Sequence, residues 1–462
     1  MSSAVDAART LAENARTQSF DKLADSTVRA TAEALYDTVA VALAGVRAPG
    51  LAEARKALLG WGSGRATVWG GFGSAPAPFA GIVNAAALHA LDYDDTDDAV
   101  PLHANSVVLP VLIADMEENR PDCRGHEFLA ALATGLDASM RVGRAGGPRG
   151  SRGWNYSVIS GGIGAALALA RLRRWDTDTA VNALGHQLAQ TGGSLQSIID
   201  GSLAKRFQPA MVVKDVLIGA ALAGAGIDGP VNVLEGRAGF FSLYQDGDYS
   251  REKLLAGLAS ASLVDDLSLN PYPACRFTHA AIDLALHMRS EGVAPDRVDH
   301  MTLLASGQAM NMVGRDFDSR TAGVVDAQFS MAYTASVALH RGAVLIDDFT
   351  PARIRDETIG RFCAERVRIE VSPGLDFLAM APVTARVDFR DGSTGEFTVK
   401  TVSGSPETPM SVERLKAKAA DCLAHGHSRV SSDELWSAVE ALTADGPASD
   451  LVDLLRRPSE ED

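Results

Sequence analysis

From residue 4 to about residue 265 the apolar side chains recur three or four positions apart and almost nothing alternates, whereas four runs between 299 and 402 read as strands. That change of period restricts the chain to a helical body interrupted by a smaller mixed unit. Phe20, Leu23, Val28, Ala34, Leu35, Val39 and Leu43 mark the first helices over residues 4–45, with Gly45 and Pro49 as a stop. Further helices are expected over 51–59, 75–91, 107–118, 125–142 and much of 180–226, with ATVWGG (66–71) a short strand or an extended loop. DHMTLLAS (299–306), RVRIEVS (366–372), TARVDFR (384–390) and EFTVKTV (396–402) are the strand runs, and Asp391-Gly392 between the last two signals a hairpin. A helix from Ala327 to His340 is expected between the first two runs. Helical pattern returns after Pro409, over 412–423 and again behind the capping box Ser431…Glu434, to Leu442. The expected fold is therefore mainly α: a large all-helical domain formed by both chain ends (1–267 and 405–462) with a smaller α+β domain (268–404) inserted.

A formal charge of −15 argues against nucleic acid or an anionic membrane surface as partner. The 4 cysteines form no CxxC pair, which fits a reduced cytoplasm better than a disulfide framework or a thiolate metal site. The N-terminal segment lacks an apolar signal core, and no stretch approaches ~18–20 uninterrupted apolar residues.

The chemistry-bearing stretches are few. HALDYDDTDDAVPLHANSVVLP (89–110) crowds Asp92, Asp94, Asp95, Asp97 and Asp98 beside Thr96 and then supplies His103, held at both ends by apolar flanks. Carboxylates this close repel, so one that is buried is expected to keep a proton near neutral pH. Gly143 to Tyr156 reads as a mobile, basic, glycine-rich loop. GGIGAALALARL (161–172) superficially resembles a dinucleotide fingerprint, but Asp176 lies in a turn and helix cap rather than at a strand end, so the glycines read as close-packing residues. Lys205 and Arg206 sit in an expected helix interruption, where cations could meet a carboxylate. His279 opens a helix after NPYPACRFT, and Tyr333 lies on the small, apolar helix of DAQFSMAYTA. A lone histidine or tyrosine in such settings is more often a hydrogen-bonded core group. A histidine with a lysine or tyrosine is also what acid–base work on a carbon acid requires.

Taken together and in this order, HALDYDDT, the histidine-then-VLP segment at 103–110, GGIGAALALARL, Lys205, GPVNVLEGRAGF (229–240), YPACRFTHAAID (272–283) and AQFSMAY (327–333) resemble the MmgE/PrpD family, which includes 2-methylcitrate dehydratase, cis-aconitate decarboxylase and iminodisuccinate epimerase. The resemblance implies a helical domain with an α+β lid, a homodimer, and no metal or organic cofactor. It carries active-site positions onto Asp92, Thr96, His103, Lys205, His279 and Tyr333. On that basis His103 is the expected base, oriented or tuned by Asp92, and Lys205 holds the substrate carboxylate and the developing enolate charge. His279 and Tyr333 are the candidate acids. Thr96, Asn155, Arg206, Asn270 and Cys275 are the expected substrate contacts. The family pattern has a histidine where Asn155 stands and a lysine where Asn270 stands. A substrate less anionic than methylcitrate or aconitate is therefore expected for this lyase, with an epimerase or isomerase on the same fold as the alternative. A binding protein without catalysis, and a metal enzyme built on the aspartates, are the readings from other classes. The aspartate cluster lacks the glycine and terminal glutamate of a calcium loop.

Overall fold

The computed structural model describes residues 5–146 and 153–459. Residues 147–152, the middle of the glycine-rich loop expected over 143–156, lie outside the described residues, and Gly143 to Ala145 end a helix rather than begin a loop. The fold is mainly α. Helices Asp25–Gly45, Ala77–Leu88, Asn105–Asn119, Gly125–Ala145, Gly161–Leu172, Thr177–Leu188 and Ala204–Gly224 form the body, joined by Val412–His425, Ser432–Thr443 and Ser449–Leu455 from the C-terminal end. Their small residues allow close contact. A Cβ on Gly164 would lie 1.9 Å from Ser139 Oγ and 2.3 Å from the Gly135 carbonyl oxygen. The 161–172 glycines are thus helix-packing residues, and Asp176 caps its helix by accepting from the Thr179 amide.

Two expectations require correction. Lys205 and Arg206 do not lie in an interruption, because the helix already starts at Ala204 and runs through Pro209 to Gly224. Proline in the second turn only removes the hydrogen bond to the Lys205 carbonyl, four residues back. The helix expected over 327–340 is broken into Val324–Gln328 and Met331–Arg341, since the Ser330 side chain accepts from the Tyr333 amide and so starts a new helix. Among the described residues, Ala204–Gly224 has the length and composition to cross a membrane, yet it packs against its neighbours as a core helix.

The chain has two apolar cores. One joins residues 7–264 with Ile346 and the C-terminal helices. The other runs from Tyr272 to Val402 and takes in Ile198. In the second, strands run in the order Val367–Val371, Val298–Ala305, Val383–Phe389, Thr394–Val399, the first pair parallel and the others antiparallel. Arg386 pairs with Glu396 across the expected hairpin. Helices His279–Ser290 and Glu357–Arg366 cover one face, while Arg386, Asp388 and Glu370 are exposed on the other. Thr67 and Ser74 belong to a separate two-stranded ribbon.

One buried ion pair ties the parts together. The Lys418 ammonium donates to Asp37 and to the carbonyl oxygens of Tyr93 (2.9 Å) and Asn270 (2.8 Å), and it stands 4.0 Å from the Tyr93 ring centroid. A single C-terminal side chain thereby joins an N-terminal helix, the aspartate loop, and the segment leading into the second core.

Candidate active site

The aspartate loop leaves helix Ala77–Leu88 at His89 and ends where helix Asn105–Asn119 begins. It is not a solvated acidic loop: Asp92, Asp94, Asp95 and Asp97 are all 2% exposed or less. Each carboxylate has its own answer to the repulsion. Asp92 pairs with the Lys205 ammonium. Asp97 takes a two-pronged contact from Arg144, at 2.7 and 2.8 Å. Asp98 takes another from Arg276, also at 2.8 and 2.7 Å. Asp94 Oδ2 accepts from His89 Nδ1 at 2.8 Å and stands 3.5 Å from His103 Nδ1. Burial alone would raise Asp94, but the two imidazoles outweigh it and hold the carboxyl below its usual range. Burial pushes His89 down to about 4, so it is a neutral donor to an ionised Asp94.

Asp95 is the one left to keep a proton. Burial, and then the Asp94 charge, push it up to about 8. A carboxyl raised in this way stabilises the fold while protonated. Its contribution is complete below the unfolded value near 3.8 and is lost as pH rises through about 8. His89 acts in the opposite sense as pH falls through about 4, so the comparison must be with wild type at each pH. Asp95→Asn is expected to flatten the decline in stability across that window, read as urea midpoints. An unchanged slope would mean that the carboxyl is ionised in the fold.

Asp92 lies at φ 52°, a left-handed conformation that aspartate tolerates better than most residues. It lines a cleft with His89, Thr96, His103, Trp154, Asn155, Lys205 and Cys275. Arg276, Phe277, Gln308, Met312, Phe329 and Met380 contribute from the second core's side. Of the expected site residues, Asp92, Thr96, His103, Asn155, Lys205 and Cys275 are thus brought together. Asn155 also caps the helix Tyr156–Ile159 by accepting from the Ser157 amide, and Ser157 Oγ accepts from the His103 amide at 2.9 Å. Burial raises the Cys275 thiol well above its usual range, which makes it a packing group.

The other four are placed elsewhere. His279 is fully buried; its Nε2 donates to the Ala274 carbonyl at 2.9 Å and its Nδ1 accepts from Arg276 at 3.2 Å. Burial and Arg276 hold it well below the usual histidine range, so it is a neutral ring spent on orienting Arg276. Tyr333 donates to the Asp348 carbonyl at 2.6 Å between Phe317 and Phe349, inside the second core. Arg206 donates to the Pro49 carbonyl at 2.9 Å, and burial lowers it to about 10. Asn270 donates to the Asp94 carbonyl at 2.7 Å beneath the loop, so of the two asparagines only Asn155 reaches the cleft. Sequence reasoning missed His89, Asp94 and Arg276 as site groups. The first two stand in the same HALDYDDT stretch, and Arg276 lies between Cys275 and His279. In AQFSMAY it is Phe329, not Tyr333, that lines the cleft, 5.5 Å from the Lys205 ammonium. Gln328 holds the Leu91 carbonyl.

Imidazole, carboxylate and ammonium on one floor, below a largely apolar wall, define a site of the acid–base type. The comparisons agree with it. Models of the MmgE/PrpD N-terminal and C-terminal domains match residues 9–252 and 272–444, and the chain belongs to the MmgE/PrpD family. A cis-aconitate decarboxylase-like protein of Aspergillus oryzae is 27% identical over 410 residues, 83% of each chain. The cis-aconitate decarboxylase of Aspergillus terreus is 26% identical over 83% of this chain and 82% of its own. The human cis-aconitate decarboxylase is 26% identical, over 81% and 77%. An acid–base function of the lyase type is the one these relatives support.

Proposed function

We propose that this chain is a cofactor-free acid–base lyase acting on a small substrate less anionic than methylcitrate or aconitate, either removing a proton beside its carboxylate or carbonyl as water is lost, or protonating the carbon from which carbon dioxide departs. The observation that carries this reading is the meeting of His103 and the Asp92–Lys205 pair in one cleft, with the buried Asp94 3.5 Å behind His103. Asp94 beside His103 Nδ1 favours a proton on that nitrogen and leaves the other as base. The 3.5 Å separation is of the kind that tightens when substrate binds. Lys205 takes the substrate carboxylate and the charge that develops on it. With His279 and Tyr333 occupied, His103 itself returns the proton to the departing hydroxide; in a decarboxylation no proton is removed first, and His103 gives one to the carbanion left by carbon dioxide.

An elimination of this kind needs a base on one face of the carbon only. His89 and His103 stand side by side on Asp94, their ring centroids 4.9 Å apart, which favours a lyase over an epimerase working from two faces. The reading includes residues 268–404 as a lid, a homodimer, and a cytoplasmic setting. Deuterium uptake from solvent at the carbon beside the carboxylate, over a panel of small carboxylates, tests it; no uptake with any member would favour a binding protein. His89, Asp94 and His103 also offer ligand atoms within 4.8 Å of one another, enough to hold a metal ion. Dialysis against a chelator is expected to leave the exchange rate unchanged, and loss restored by added metal would replace this mechanism with a metal-assisted one.

A further inference from the structure

The cleft carries little positive charge to spare: among the described residues its lining holds two cations, Lys205 and Arg276. Its two cations are already answered. Lys205 faces Asp92, and Arg276 spends Nε and one Nη2 hydrogen on Asp98 and its Nη1 on the Ser403 carbonyl and His279. One Nη2 hydrogen and the remaining ammonium hydrogens of Lys205 are left, enough for a single carboxylate between them. The rest of the lining is largely apolar, with Trp154, Ile198, Phe277, Met312, Phe329 and Met380 beside the amides of Asn155 and Gln308. A second carboxylate lodged there would be desolvated with no described cation to meet it.

Building on the lyase reading, we propose that the substrate carries one carboxylate and an apolar arm: a β-hydroxy monocarboxylic acid with an aryl or alkyl substituent at the hydroxyl-bearing carbon. The carboxylate sits at Lys205 and Arg276, and the arm lies against the apolar wall. His103 takes the proton from the carbon beside the carboxylate, the carbon–carbon double bond forms as the carbon–oxygen bond breaks, and the departing hydroxide recovers that proton as water. Methionines at two of the wall positions suit arms of differing shape, because their side chains adapt.

The test uses the full chain and four probes: β-hydroxyphenylpropionate, β-hydroxyhexanoate, malate and citrate. Binding is measured calorimetrically on His103→Gln, so that turnover does not interfere, and deuterium uptake is measured on the wild type. The two apolar monocarboxylates are expected to bind about ten- to a hundredfold more tightly than malate or citrate and to be the ones that exchange. Tighter binding and exchange of malate or citrate would overturn the substrate class and leave the acid–base reading standing. Tight binding of the apolar acids without exchange would keep the class and overturn the chemistry, and no binding of either would overturn the class. Met380 lies outside helix and strand, so Met380→Lys adds a cation to the wall without disturbing an element. It is expected to move the preference about tenfold toward malate, whereas Met380→Ala weakens only the aryl acid. An unchanged ratio in both variants would remove Met380 from the arm's pocket.

Discussion

Replacing His103 with glutamine is expected to lower proton exchange and turnover by about 10²- to 10⁴-fold while leaving the unfolding midpoint nearly unchanged. Glutamine fills much of the same space and keeps a hydrogen-bonding end, but it cannot accept and return a proton at ordinary pH. The backbone around position 103 is held independently of the ring, through its amide on Ser157 Oγ and its carbonyl on Ser106 Oγ at 2.6 Å. The variant should therefore fold and bind. Asp94→Asn provides the companion measurement: it keeps a side chain of the same size beside the ring but removes the carboxylate that sets its tautomer, so kcat should fall while KM changes little. Full activity in His103→Gln would move the base to another group on the same floor, with His89 first in line.

Lys418→Met is expected to cost about 3–5 kcal/mol of stability, read from urea unfolding. The magnitude follows from burial at both ends: the Lys418 and Asp37 side chains are 4% and 1% exposed. Removing the ammonium leaves the Asp37 carboxylate desolvated and deprives the carbonyls of Tyr93 and Asn270 of their donor. Burial already raises Asp37 above the usual carboxylate range, so in the variant it should take up a proton, with the loss smallest in acid. The double variant Asp37→Leu, Lys418→Met should recover most of the loss, because an apolar pair of similar volume is commonly neutral to stability. A cost below about 1 kcal/mol for the single change would mean that water reaches the pair.

The helical body, the hairpin at Asp391-Gly392 and the capping box at Ser431 were legible in the sequence because each rests on interactions within a few residues. So was the anchoring of the aspartate loop, since its apolar flanks fix both ends. What pairs with its carboxylates was not. Arg144 lies 47 positions from Asp97, Lys205 lies 113 from Asp92, and Arg276 lies 178 from Asp98. Periodicity carries no information over such distances. His279 and Tyr333 illustrate the converse. Both belong to stretches that meet near the cleft, but a fully buried ring must satisfy its polar atoms where it lies, and theirs are met by backbone carbonyls and Arg276. Gln308 sits in the short helix Gly307–Val313 and Met380 in an irregular segment, with nothing in their neighbours to mark them as lining residues.

Three carboxylates of the 92–98 loop, Asp92, Asp97 and Asp98, are matched to cations from separate stretches of the chain, and this divides the cleft into two regimes of inheritance. A lineage that loses Arg144 or Arg276 must discard the opposing aspartate in the same step or carry an orphaned charge, so the floor changes only in couples. Methionine, phenylalanine and isoleucine on the facing side owe nothing to a particular mate. A change among these apolar side chains therefore leaves every ion pair of the loop in place.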